Sequence, residues 1–589
     1  TSQMKIYLFS FDQSALTGSF SSKDRERDGV AQLTAIYSIH GEKPALDGAI
    51  TWPDGTREVF SATRVKTAEE VAELEKVEAE KGDEKGDGRG EKGGGKGNGK
   101  DEGRSAKDEN DKAQPDEEES SKASFAVNYP LGAYGVAELP DQPAQVLLKN
   151  ATVWTCGSDG IVENCDVLFS GGEIVAVGKT LAAPKDALVV DCTGKHITPG
   201  IIDCHSHMAS DGGINEGTQT ITAEVRIGDF IDPADITIYR QLAGGVTTAN
   251  ILHGSANTIG GQNQVIKLRW GALDEELKFA EAPAGIKFAL GENVKQSNWG
   301  DDYTKRYPQS RMGVEQIVID EFEAAKAYKQ SWDRWNKTHA GLPPRRDLEL
   351  DAIVEILEGE RWIHCHSYRQ DEILALMRTL ELYNVQIGSF QHILEGYKVA
   401  AEMARHGATG SSFADWWAYK IEVYDAIPYN GAIMHNAGVV VSFNSDDHEM
   451  GRHLNHEAAK AVKYGGVSRE EALKFVTLNP AKQLRIDPYV GSLEPGKHAD
   501  LVIWSGDPLS NFSRCEQTWI DGRKYFDIDD DLQRRQQVRT KRAKLIQKIL
   551  SSGAEMAKET DGDPKADSLW PREDIYCGAR LRKGLRIGN

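Results

Sequence analysis

The sequence predicts an α/β protein: a (β/α)8 TIM barrel with a small β-sandwich domain built from the segments that flank it. Three observations predict it. Between residues 199 and 485, short apolar runs ("GVTTANIL", "GIKFAL", "RWIHCHS", "VQIGSFQH", "GVVVSFNSD") alternate with helical stretches ("ADITIYRQLAGG", "QDEILALMRTLELY", "HEAAKAVKYGG"). Buried-type strands alternating with helices indicate a parallel α/β layer, and a span of about 285 residues suits a barrel. Strand-like runs stand immediately before and after this region, and histidines or carboxylates recur where its apolar runs end.

The elements follow in chain order. Residues 1–74 open with apolar–polar alternation around turn signals, "QLTAIYSI" and then "GAITWPDGTREVF"; "PDG" between two strand-like runs signals a hairpin, so an N-terminal β segment is expected. Residues 75–125 form a charged, low-complexity linker. Residues 75–122 alone hold 16 acidic and 11 basic residues with almost nothing apolar, so no core can form and disorder is expected. Strands return at 140–198 ("QVLLKNATVWT", "CDVLFSGGEIVAVG", "ALVVDCTGKHITPG") as the first part of the sandwich. The barrel occupies 199–485. Residues 486–528 ("GSLEPGKHADLVIWSGDP", "TWIDGRKYFD") supply the second part of the sandwich, and 529–589 form a C-terminal helix and a polar tail.

Composition narrows the function classes. The chain has 589 residues, 39% of them hydrophobic, and a net charge of −21. Such acidity argues against nucleic-acid binding, which needs basic surface, and leaves room for a cationic substrate. No apolar run of about 18 residues is present, so no membrane span is expected. Seven scattered cysteines without a CxxC pair do not read as a disulfide framework. The chain starts "TSQMKIYLFSF" without an initiator Met; a processed or cut product, part of a longer polypeptide or complex, is expected, and the compartment stays undetermined.

The strand ends carry the chemistry. In "IIDCHSHM", alternation of side chains puts His205 and His207 on one face. "GIKFALGEN" offers Lys287 and Glu292, "RWIHCHS" His364 and His366, "VQIGSFQH" His392, and "GVVVSFNSDD" Asp446 and Asp447. Barrel enzymes carry their chemistry at the C-terminal ends of the strands. Imidazole and carboxylate donors suit a divalent ion, Zn²⁺ first, with Mn, Fe or Co also accepted. In "GIKFAL" the bulky Ile286, Phe288 and Leu290 alternate with Lys287, which turns the lysine toward the barrel interior.

"TPGIIDCHSHM", "AGGVTTANIL", "IHCHSYR", "FQHILEGYKVA", "VVVSFNSDD" and "TLNPAKQL…GSLEPGKHADLVIWSGDP" together resemble the amidohydrolase superfamily of metal-dependent hydrolases, in its imidazolonepropionase-like and prolidase-like branch. The resemblance runs from about residue 145 to 525 and leaves both ends outside it. It implies one or two divalent metals per chain. His205 and His207 would bind the more buried ion, His364 and His392 the second, and Asp446 the first while also handling protons. A shared carboxylate offsets the repulsion of two ions. The superfamily uses a carboxylated Lys or a Glu there, so Lys287, Glu292 or no bridge at all remain open. His366 and His253 are candidate substrate contacts, and Tyr419 or Lys420 could line the pocket.

The expected function is hydrolysis of a C–N bond in an amide, peptide or cyclic amide, with Asp446 as the general acid–base group. A single-metal deaminase is the alternative. An inactive metal-containing subunit of a larger assembly is a third reading. The partners expected are a small-molecule or short-peptide substrate and further copies of the chain, with no nucleic acid and no membrane. The substrate itself is not declared by any motif.

Overall fold

The computed structural model describes residues 6–12, 15–22, 29–40, 43–63, 139–210, 213–299, 306–415 and 419–551. The charged linker expected at 75–125 and the tail beyond 551 lie outside the described residues. The chain divides into two compact units, one of residues 1–127 with 532–560 and one of residues 128–531 with 561–589.

In the first unit, Ile6–Asp12, Ala15–Ser21, Val30–His40, Lys43–Thr51 and Arg57–Thr63 form a five-stranded sheet in sequence order, antiparallel throughout. The "PDG" signal falls at the tight connection between the last two strands, where Trp52 N–H donates to Thr56 O at 2.8 Å and Gly55 adopts φ +85°. Alternation buries Phe20, Ala31, Leu33, Ala35 and Trp52 in a small core. Residues from 532 onward of the helix Ile528–Ser551 belong to this unit. Gln547 pins them by accepting from Val30 N at 3.0 Å and donating to Val30 O at 2.8 Å.

In the second unit, the two segments that flank the parallel strands meet in one eight-stranded sheet. The joint is His196–Pro199, which runs antiparallel to Leu501–Trp504 and parallel to Gln145–Trp154. Its buried face includes Val146, Val167, Phe169, Ile197, Leu501 and Trp519, with Phe169 and Trp519 edge to face at 5.4 Å.

The functional part of this unit is a set of parallel strands arranged in two arcs. Ile201–Ser206 pairs with Val246–Ile251. Ala284–Ala289, Arg361–His366, Ser389–Gln391, Thr409–Ser412 and Val441–Phe443 pair in sequence order. The last strand returns to the first, through a bridge between Ser206 and Asp447 and a hydrogen bond from Asp446 N to His205 O at 2.9 Å. A closed eight-strand ladder is not formed among the described residues. Between the arcs, two short antiparallel strands flank Asn263: Ile259–Gln262 pairs with one arc and Gln264–Lys267 with the other. The strands read as continuous apolar runs because both their faces are covered: Ile201, Ile251, Ile286, Phe288, Ile363, Phe390 and Val441 all belong to the main core. The helix Arg311–Thr338 starts on a Ser310 cap and buries Val314, Ile317, Val318 and Phe322 at helical spacing. Among the described residues no helix is long and apolar enough to cross a membrane.

The turn that feeds the first strand has no room for a side chain. A Cβ on Gly200 would fall inside the van der Waals radius of Thr247, on the neighbouring strand. Gly200→Ala is expected to destabilise the fold by about 1–3 kcal/mol, read as a shifted midpoint of urea unfolding. An unchanged midpoint would show that the two strands can part at little cost.

A candidate metal centre at the strand ends

The parallel arcs bring several of their ionisable side chains close together, with His205, His392 and Asp446 converging on one point. His205 is the penultimate residue of the strand Ile201–Ser206, and His207 follows its end. Lys287 and His364 are direct cross-strand neighbours in register, as are Ala289 and His366. His392 comes one residue after Ser389–Gln391, and Asp446 three after Val441–Phe443. Both leave their strands at positive φ, +41° for His392 and +48° for Asp446. Non-glycine residues are uncommon there, and such strain persists only where the surroundings impose it.

Ligand atoms of His205, His392 and Asp446 lie within 4.8 Å of one another. Asp446 Oδ1 sits 3.0 Å from His205 Nε2 and 2.9 Å from His207 Nε2, and His392 Nε2 is 3.8 Å from Asp446 Oδ2. Lys287, fully buried, brings Nζ to 3.1 Å from His205 Nε2. His364 is oriented by Ser389, whose Oγ lies 2.7 Å from its Nδ1. The packing around His392 is aromatic: Tyr368 stacks on it at 4.6 Å, Phe413 at 5.5 Å, and His366 meets it edge-on at 4.3 Å.

The donor chemistry fits a divalent cation. Five buried imidazole nitrogens, Nδ1 of His205 and both nitrogens of His366 and of His392, have no hydrogen-bond partner. Each such orphan costs roughly 1–3 kcal/mol unless a ligand satisfies it. A neutral His207 that donates from Nδ1 to Leu252 O at 3.2 Å turns a bare Nε2 lone pair toward the Asp446 carboxylate. Two acceptors 2.9 Å apart call for a cation between them.

Protonation states match. Burial, and then the Lys287 ammonium, push His205 and His364 down to about 3. Burial, followed by the neighbouring His392 imidazole and then Lys420 and Lys287, also holds His366 well below the ordinary imidazole range. For His392, burial outweighs the Asp446 carboxylate and leads to the same result. Burial alone would raise the Asp446 carboxyl, but the surrounding imidazoles outweigh it and hold the group well below the usual range. At neutral pH the cluster therefore presents neutral imidazoles and one carboxylate, the forms in which these groups ligate.

The structure separates the other candidates. Glu292 is not among the grouped ligand atoms; its N–H donates to Glu422 at 3.0 Å, and burial followed by the Glu422 charge raises its carboxyl. His253 has both ring nitrogens facing the backbone, Nε2 accepting from Glu216 N at 2.9 Å and Nδ1 lying 2.8 Å from Gly254 O. Asp447 caps the following turn by accepting from Glu449 N and Met450 N. Lys420 lies over the Tyr368 ring at 4.5 Å and 3.3 Å from Glu422, and Tyr419 Oη is 3.0 Å from Tyr368 Oη.

Two buried residues beyond the predicted set hold the centre in place. Asp203 accepts from Ser445 N at 3.1 Å and from Ser445 Oγ, and so fixes the residue before Asp446. Burial pushes its carboxyl up to about 7. Its signal was present, because Asp203 alternates onto the same face as His205 and His207. Tyr368 stands two residues after His366, beyond the end of the strand Arg361–His366, where alternation no longer fixes the face.

Comparison with known proteins agrees with this geometry. The sequence model of the amidohydrolase family matches residues 430–528. The chain is 32% identical over 428 residues to amidohydrolase tasK of Hapsidospora irregularis, covering 65% of this chain and 43% of that one. It is 39% identical over 403 residues to the imidazolonepropionase of Acidiphilium cryptum, covering 62% of this chain and 93% of that one. An adenine deaminase of Clostridium botulinum is 24% identical over 371 residues, with 62% of this chain and 54% of that one covered. The chain thus spans about half the length of the first of these curated relatives, 43% and 54% for tasK and the deaminase. The crystal structure of an amidohydrolase from Thermotoga maritima MSB8 superposes with a TM-score of 0.60 at 33% identity, covering 65% of this chain and all of that one. With the imidazolonepropionase and the Thermotoga maritima amidohydrolase covered almost end to end at 39% and 33% identity, and with histidines and an aspartate gathered where parallel strands finish, the chain belongs to the amidohydrolase family.

Proposed function

We propose that the chain is a divalent-metal hydrolase of C–N bonds in amides, peptides or cyclic amides, built on a (β/α)8 barrel. The observation that carries this reading is the convergence of His205, His392 and Asp446 on one point, ringed by imidazole nitrogens that lack protein partners. His205, His207, His364, His392 and Asp446 would hold the ion or ions, with Zn²⁺ the first choice for this donor set. When bound, such a group makes water acidic near neutral pH and polarises a carbonyl oxygen.

The chain's own residues supply the rest. Asp446, ionised and tied to His205 and His207, takes the proton of the attacking water and returns it to the leaving nitrogen. His366, buried with both nitrogens unused, contacts the substrate or leaving group. Lys287 would help hold the metal once its neutral Nζ amine has added CO2 and released a proton to become a carbamate. Its place 3.1 Å from His205 supports this over Glu292, which lies with Glu422 instead. An ammonium at that place would oppose a cation, whereas a carbamate carries the opposite charge.

The alternative is a deaminase with one ion. It is favoured by the fact that, among the described residues, two imidazoles and one carboxylate have their ligand atoms grouped within 4.8 Å. Elemental mass spectrometry on protein purified with bicarbonate and without chelator separates the two. About two equivalents of metal per chain, with hydrolysis of dipeptides or cyclic amides, are expected. One equivalent with ammonia release assigns the deaminase, and no metal after reloading overturns both readings.

A further inference from the structure

The first unit carries a second concentration of chemistry that the metal centre does not use. In a chain of net charge −21, residues 532–551 hold seven Lys and Arg and no Asp or Glu. Three guanidiniums, Arg57 from the last strand of the sheet and Arg539 and Arg542 from the helix Ile528–Ser551, line one cleft of about 190 Å³. All three side chains are exposed, and none has a carboxylate partner among the described residues. Several arginines elsewhere in the chain do have such partners, as Arg240 has in Glu449, Arg311 in Glu372 and Arg361 in Glu355. Like charges three residues apart on a helix, as Arg539 and Arg542 are, repel unless something neutralises them.

The cleft is also held in shape. Gln547 ties the helix to the backbone of Val30 on the sheet. The turn at Gly55 lies against the backbone of Arg539 and Thr540, where a Cβ would meet Arg539 O at 3.2 Å. Thr34, Thr51 and Gln32 add hydroxyl and amide groups, while Ala543 and Ile546 give it an apolar side.

We propose that this cleft binds a phosphate-bearing small anion. Guanidinium forks match the oxygens of a phosphate in pairs. Three of them around one cavity suit a group with two or more negative charges better than a single carboxylate. A cleft of about 190 Å³ matches a phosphate or diphosphate group, not a stretch of polynucleotide.

The test is isothermal titration calorimetry of the full chain with inorganic diphosphate, at low and at high salt. One saturable site per chain, weakened by salt, is expected. Arg539→Gln combined with Arg542→Gln should raise Kd by roughly 10–100-fold, the loss expected for charge-assisted hydrogen bonds. Arg534→Gln, on the same helix but outside the cleft, should leave Kd within about two-fold. Asp446→Asn should leave the isotherm in place, because the cleft is not the metal centre. Absence of saturable heat overturns the proposal. So does a loss with Asp446→Asn but not with the double variant, which moves the anion to the metal centre. An equal loss with Arg534→Gln, or tighter binding of a single-stranded oligonucleotide than of diphosphate, overturns it in favour of a diffuse basic helix face.

Discussion

Asp446→Asn is expected to lower the turnover of an amide substrate by about 10²–10⁴-fold, the usual loss when a positioned acid–base group is removed. The substitution isolates the carboxylate. Asp446 sits at φ +48°, a left-handed conformation that Asn tolerates as well as Asp, so the backbone has no reason to move. The volume is unchanged, and the hydrogen bond from Asp446 N to His205 O does not involve the side chain. What is lost is the anion that faces His205 and His207 at 3.0 and 2.9 Å. Steady-state kinetics alongside metal analysis reads the result. A fall in kcat at retained metal content places Asp446 in proton transfer, and a fall in metal content assigns it first to holding the ion. Unchanged turnover at full metal content would remove it from the mechanism. Asp203→Asn gives the companion reading. It keeps one acceptor for Ser445 N and His205 N while removing a buried carboxyl that burial pushes up to about 7, so any loss acts through the placement of Asp446 and His205.

Much of this centre is legible in the sequence for a simple reason. Strands in a parallel α/β layer end on the same side, so a ligand at each strand end needs no knowledge of packing to be grouped. His205, His364, His392 and Asp446 could be read off that rule, and Lys287 off the two-residue alternation of "GIKFAL". What the rule does not supply is the distance past the strand at which the chain turns. Glu292 is three residues beyond Ala289, where Gly291 at φ +85° redirects the chain, and its N–H reaches Glu422. His253 looked equally placed, but its ring supports the loop at Glu216. The two short antiparallel strands around Asn263 were not legible either. "NTIGGQNQVIK" carries a turn signal without declaring that each half pairs with a different arc. The roles of Tyr368 and Phe413 depend on long-range packing against one imidazole, which no local pattern encodes.

The largest effect on stability is expected at Lys267, which lies outside the chemistry. Its side chain is fully buried on the strand Gln264–Lys267. Nζ reaches Asp500 Oδ2 at 3.0 Å and Asp521 Oδ1 at 2.5 Å on the flanking sheet side, and it lies over the Phe279 ring at 4.8 Å. Asp521 has a second cation, Arg269 at 2.7 Å, and the two together hold its carboxyl below the usual range against the opposing effect of burial. Asp500 is buried, which pushes its carboxyl up, and the Lys267 ammonium is the largest effect opposing that rise. Lys267→Met keeps most of the volume but leaves Asp500 as an uncompensated buried charge. Breaking a buried pair from one side costs about 3–5 kcal/mol, a large part of the total stability of a typical domain. Urea unfolding should show that loss as a lower midpoint at an unchanged slope. Adding Asp500→Asn to Lys267→Met should recover part of it, because the orphaned charge is then gone while the hydrogen bond from Asp521 N to Asp500 Oδ1 keeps an acceptor. If the double variant is no more stable than the single one, the cost lies in packing against Phe279 and not in the charge. The parallel strands and the flanking sheet would then be joined chiefly by apolar contact.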